Sequence, residues 1–125
     1  MVALSVIGSQ QAAATANKAE AVEQQLDYIA TYPHDGITYK ASDMILAAHS
    51  DASYLNERLS RSRTGSHTFI SENDPSPEFN GPVLTITRII KFFMSLVAES
   101  DMGALFITAK EMLPLRQTLI EMGWP

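Results

Sequence analysis

The hydrophobic period of this chain changes once, near Ser95, and that change limits the fold more than any single residue does. Before it, three segments have strand character. Residues 44–50 begin with the apolar run Met44-Ile45-Leu46-Ala47-Ala48, short enough for a strand buried on both faces. Residues 64–71 alternate poorly but hold the β-favouring Thr68, Phe69 and Ile70. Residues 83–90 set Thr85 and Thr87 against Leu84, Ile86 and Ile90. After Ser95, the residues Ala98, Met102, Leu105, Ala109 and Met112 recur at helical spacing, with Phe106 and Leu113 widening the stripe. Three strands followed by one long helix predict an α/β fold, an antiparallel meander with a helix packed on it.

The flanking segments are simpler. Ser9 is placed to cap a helix over residues 10–30, with Ala19, Val22, Leu26 and Ile29 as its apolar stripe. Its first half, rich in Ala and small polar residues, is expected to fray. Tyr32-Pro33-His34-Asp35-Gly36 ends it, dividing an N-terminal helical segment, 1–36, from a domain at 37–125. Residues 37–40 alternate as a short strand. Residues 56–63 read as a polar, basic connection, and 72–82 as a loop. Pro114 lacks the amide a helix interior needs, so the long helix should kink or break there, and Gly123 should stop it.

Composition removes several classes. With 125 residues the chain supports one core-bearing domain, and no apolar run approaches the ~18 residues of a membrane span. The start, Met1-Val2-Ala3-Leu4-Ser5-Val6-Ile7, has no basic lead and no clear cleavage site, so it reads as structure rather than as a signal peptide. The expected location is therefore intracellular, cytoplasmic or nuclear. Absence of cysteine excludes disulfides and thiolate zinc sites. The net charge of −5 disfavours a general nucleic-acid binder. However, five of the nine basic residues, Arg58, Arg61, Arg63, Arg88 and Lys91, fall between positions 58 and 91.

No phosphate-binding glycine loop, His-Glu-x-x-His or nucleophile elbow is present. What remains is carboxylates. Asp51, in His49-Ser50-Asp51-Ala52-Ser53-Tyr54, follows the first strand, where a sheet rim can hold it rigidly. Taken alone, Asp-Ala-Ser is ordinary turn chemistry. A second acidic cluster, Glu99-Ser100-Asp101, lies on the long helix.

In chain order the motifs run Asp51-Ala52-Ser53-Tyr54, Arg61-Ser62-Arg63-Thr64-Gly65-Ser66, Gly81-Pro82-Val83-Leu84, then Ala98-Glu99-Ser100-Asp101-Met102-Gly103-Ala104-Leu105, and finally Leu115-Arg116-Gln117-Thr118-Leu119-Ile120-Glu121-Met122-Gly123. This ordered set resembles the ribonuclease H domain of copia-type retrotransposon polyproteins. The resemblance covers about residues 22–123. It implies a ribonuclease H-like fold whose first helix, with Leu26-Asp27-Tyr28-Ile29, is the connection from a reverse transcriptase domain of the same polyprotein. It also implies metal-dependent hydrolysis of the RNA strand of RNA–DNA hybrids, with Mg²⁺ as cofactor.

For that chemistry, two divalent ions ~4 Å apart stabilise the attacking and leaving oxygens, and clustered carboxylates are their natural cage. By resemblance, Asp51 and Asp101 are the catalytic and metal-binding acids, with Glu99 as the alternative in register. About 200° separates Glu99 from Asp101 on a helix, so only one of them can face Asp51. Arg58, Arg61 and Arg63 are the expected contacts to the hybrid backbone, with a solvated inter-strand connection as the plain alternative. Two departures weigh against activity. Asp101 stands where the family has Glu, a shortfall on the order of 1 Å that can cost ~10²-fold. The family also continues into a parallel strand bearing a third carboxylate, which is missing here. The expectation is a fragment or remnant inactive as this chain. The alternative is a non-catalytic α/β docking module or a translated relic of a retroelement.

Overall fold

A computed structural model describes residues 2–9, 11–57 and 59–124. The chain forms two compact units, residues 1–37 and 38–125.

In the first unit, α1 spans Val2–Gly8, a 3₁₀ turn covers Gln11–Ala13, and α2 spans Ala16–Thr31. The single helix expected over residues 10–30 is thus shorter, and Gln10 lies outside the described residues. Ser9 does not cap α2. Its hydroxyl donates to the Val6 carbonyl at 2.8 Å, at the end of α1. The apolar stripe of α2 stays open to solvent, with Leu26 59% and Ile29 53% exposed.

The second unit is a three-stranded antiparallel sheet, β1 (Ile45–Glu57), β2 (Arg61–Ser71) and β3 (Pro82–Ile89), in that spatial order, followed by α3 (Val97–Glu121). Three expectations need correcting. Residues 37–40 are not a strand. Asn80 instead holds Lys40, its Oδ1 accepting the Lys40 amide at 2.8 Å and its Nδ2 donating to the Lys40 carbonyl at 3.0 Å. Residues 56–63 are not a long connection, because β1 runs on to Glu57 and the hairpin closes over Leu59 and Ser60, both at positive φ. Nor is β1 buried on both faces. It is an edge strand, and the doubly buried strand is β2, with Ser62, Arg63, Thr64, Thr68, Phe69 and Ser71 inside.

Strand parity sorts the two faces. Ala52 and Leu84 pack against the cluster of Ile86, Ile90 and Ile107, so the face of β2 carrying Thr64, Ser66 and Thr68 lies under α3. The opposite face carries an aromatic group in which Phe69, fully buried, meets His49, His67 and Phe79 at ring-centroid distances of 5.8, 5.3 and 5.6 Å.

The helix rests on the sheet through Ser100, Ala104, Ile107 and Thr108, not through the larger stripe the spacing suggested. Met102, Leu105, Phe106 and Leu113 remain more than half exposed. Gly103 leaves room for the end of the Met94 side chain, whose Cε lies 2.6 Å from where a Cβ would stand. Pro114 does not break α3. The helix ends as expected at Gly123 (φ 93°), where the Trp124 amide donates to the Leu119 carbonyl and the Gly123 amide to that of Ile120, a Schellman closure.

Truncating the one fully buried aromatic side chain removes most of the packing on the face away from α3. Phe69→Ala should lower unfolding stability by about 3–5 kcal/mol in a denaturant titration. A loss under 1 kcal/mol would show that this face contributes little to the fold.

Candidate functional site

Asp51 does not sit at the end of its strand. It pairs with Gly65 in the middle of the β1–β2 ladder, six residues before β1 ends. Because Ala52 turns toward Ile107, Asp51 leaves the sheet on the opposite face, shared with His49 and Ser53. It is exposed, and its Oδ1 accepts the Ala52 amide at 2.8 Å. Gly65 opposite it has open space where a side chain would stand.

The helix acids divide as the 200° argument requires. Glu99 is taken up by its own helix terminus, its Oε2 accepting the amides of Ser95 (2.6 Å) and Leu96 (3.3 Å). This binds the amide of the N-cap residue, Leu96, and that of the residue before it, and places a negative charge at the positive end of the helix dipole. Asp101 is exposed on α3, one residue after the buried Ser100. Asp51 therefore points away from the sheet face on which α3, the helix that carries Asp101, is packed. Among the described residues, no group of three or more His, Asp or Glu side chains is placed to hold a metal ion.

The arginines also part company. Arg58 lies outside the described residues. Arg61 is exposed at the start of β2. Arg63 is 5% exposed, and its Nε donates to Glu57 Oε1 across the hairpin end, so its charge is committed inside the protein. That pairing had a sequence signal: Glu57 and Arg63 flank a tight turn and can meet once the hairpin closes. Elsewhere, Lys40 and Glu78 hold each other at 2.7 Å. Their side-chain hydrogen bond, reinforced by charge, raises the Lys40 pKa and lowers that of Glu78. Both groups are exposed. Because the Glu78 value is depressed, this contact is fully present above the ordinary carboxylate range and is lost as pH falls below that range through the lowered Glu78 value.

No helix among the described residues is long and apolar enough to cross a membrane. In comparisons with known proteins, no family model, no curated protein and no solved structure matches the chain.

The buried pair gives a direct check. Glu57→Gln would leave the Arg63 guanidinium inside the protein without its carboxylate. It should cost about 3 kcal/mol of unfolding stability, whereas Glu78→Gln should cost almost nothing. Equal effects of the two substitutions in thermal melts would show that burial at Arg63 is not what makes the pair matter.

Proposed function

We propose that residues 38–124 are a ribonuclease H-like piece of a copia-type retroelement polyprotein that does not cut RNA–DNA hybrids by itself. One observation carries the reading. The Asp-Ala-Ser-Tyr, Arg-Ser-Arg-Thr-Gly-Ser, Gly-Pro-Val-Leu and Glu-Ser-Asp runs fall, in that order, on or beside successive elements of an antiparallel meander followed by a long helix. The helical segment before residue 38, with Leu26-Asp27-Tyr28-Ile29, is by the same reading the connection from a reverse transcriptase domain.

The inertness rests on geometry. Two-metal hydrolysis needs carboxylates that converge on one pair of cations. Here Asp51 points away from the sheet face on which α3, the helix that carries Asp101, is packed, and Glu99 closes its own helix end. The residues present do not fit a pair of Mg²⁺ ions. Of the two expected contact arginines among the described residues, Arg61 is exposed and is the proposed contact to a hybrid backbone, whereas Arg63 is buried against Glu57.

The test is a cleavage assay on an RNA–DNA hybrid with Mg²⁺ or Mn²⁺. Wild type and Asp51→Asn should be indistinguishable from buffer, while Arg61→Ala should weaken hybrid retention and flatten its salt dependence by about one charge. Cleavage by the wild type that disappears in Asp51→Asn would show that Asp51 reaches a metal, and would overturn the inert reading.

A further inference from the structure

The edge of β1 has features that the nuclease reading does not use. In an antiparallel ladder the amide and carbonyl of one residue point to the same side, and successive residues alternate. The side toward β2 belongs to the odd-numbered residues of β1. The Ile45 carbonyl accepts the Ser71 hydroxyl at 3.2 Å, and the Leu55 amide donates to Ser62 Oγ at 3.2 Å. On β2, the carbonyl of Ser62 faces the other way and accepts the Ile90 amide at 2.8 Å. The backbone groups of Leu46, Ala48, Ser50 and Ala52 therefore point outward, where no strand among the described residues pairs with them. The Ala52 amide is the one satisfied from within, by the Asp51 carboxylate beside it.

We propose that this edge pairs with the same edge of a second copy of the chain, antiparallel and centred on Ser50, giving a continuous six-stranded sheet. The polar side chains of the strand select that register. With Ser50 opposite its own counterpart, His49 of each copy stands across from Asp51 of the other, twice, on the face away from α3. On the helix face, Ala48 meets Ala52 and Leu46 meets Tyr54. Shifting the centre to Ala48 sets Asp51 against Ile45, and shifting it to Ala52 sets Asp51 against Ser53. Only the Ser50 register gives each carboxylate an imidazole and brings small residues together at the axis. On pairing, Asp51 exchanges the Ala52 amide for the facing imidazole, and the freed amide joins the new ladder.

The helices fit the same arrangement. α3 lies over β1 and β2, and a two-fold axis perpendicular to the sheet leaves both helices on one face. At a strand spacing of ~4.8 Å, their axes fall ~10 Å apart, the distance at which helices pack. Ala109 and Met112 of α3 lie beside Met44, Ile45 and Leu46 at the start of β1, and Leu105 continues their stripe at helical spacing. Met112 also lines an apolar cavity of about 360 Å³, with Met44, Ile45, Leu46, Leu113 and Trp124, at the start of β1. Leu105, 54% exposed in the single copy, then meets its counterpart. The proposal does not rest on the ribonuclease H reading, and nuclease activity does not enter its test.

Sedimentation velocity on the full chain at tens of micromolar tests it, with circular dichroism to confirm folding. The wild type should sediment as a dimer. His49→Asp alone puts two carboxylates opposite one another at both pairs, and Asp51→Lys alone takes from each imidazole the carboxylate that faces it and sets an ammonium there; each should weaken association about tenfold or more. An equal mixture of the two folded variants should recover the dimer, because the introduced carboxylate at position 49 then faces the introduced ammonium at position 51, and the native Asp51 faces the native His49. A monomeric wild type would overturn the proposal. So would dimers of undiminished strength in both variants, or a mixture that stays monomeric.

Discussion

β2 is the strand on which the folded unit depends. β1 and β3 have no ladder with each other and are joined only through it, and both of its faces are covered. One face presents Phe69 to the two histidines and Phe79, and the other presents hydroxyl side chains to α3. Its place between two antiparallel neighbours explains how residues as polar as Thr64 and Thr68 come to be fully buried. The ladder fixes the backbone, and the side chains follow its parity.

Parity also decides the fate of the candidate site. Ala52 is drawn into the isoleucine cluster, so its neighbour Asp51 must leave on the other side. A one-residue slip of β1 would reverse every side chain of that strand. Such a slip would carry His49 away from Phe69, which it stacks against at 5.8 Å with nearly parallel rings. The aromatic group and the isoleucine cluster hold one register between them, and in that register the strand acid and the helix acids stand apart.

Much of the architecture could be read from the residues. The alternation through Thr85 and Thr87 located β3, the change of period located α3, and Gly123 located its end. The buried face of α3 could not be read in the same way. Two stripes on this helix share the helical period, and hydropathy favours the one built on Met102, Leu105 and Met112. The sheet selects the smaller one, Ser100, Ala104, Ile107 and Thr108, because the surface beneath it is made of Thr64, Ser66 and Thr68. Small side chains let the helix sit close to such a surface, and the large apolar ones turn outward. The order of pairing was equally hidden. The apolar run before His49 reads as a central strand, yet β1 lies at the edge, and nothing local to a strand records how many neighbours it has. Pro114 removes one hydrogen bond from a long helix, and α3 continues through it to Glu121.

The seam between α3 and the sheet has a consequence for how the molecule comes apart. Thr64 Oγ1, Ser66 Oγ, Thr68 Oγ1 and Ser100 Oγ are all buried there without a hydrogen-bond partner. Each such group costs about 1–3 kcal/mol relative to its hydrated state, and each recovers that cost when water reaches it. Lifting the helix therefore gives up the contacts of Ile86, Ile90 and Ile107 but relieves four hydroxyls at once. The meander, held by its ladders and by the aromatic group on its far side, loses neither. Helix release therefore costs less than the apolar contacts of α3 alone would require, because the same step returns water to the hydroxyls beneath it.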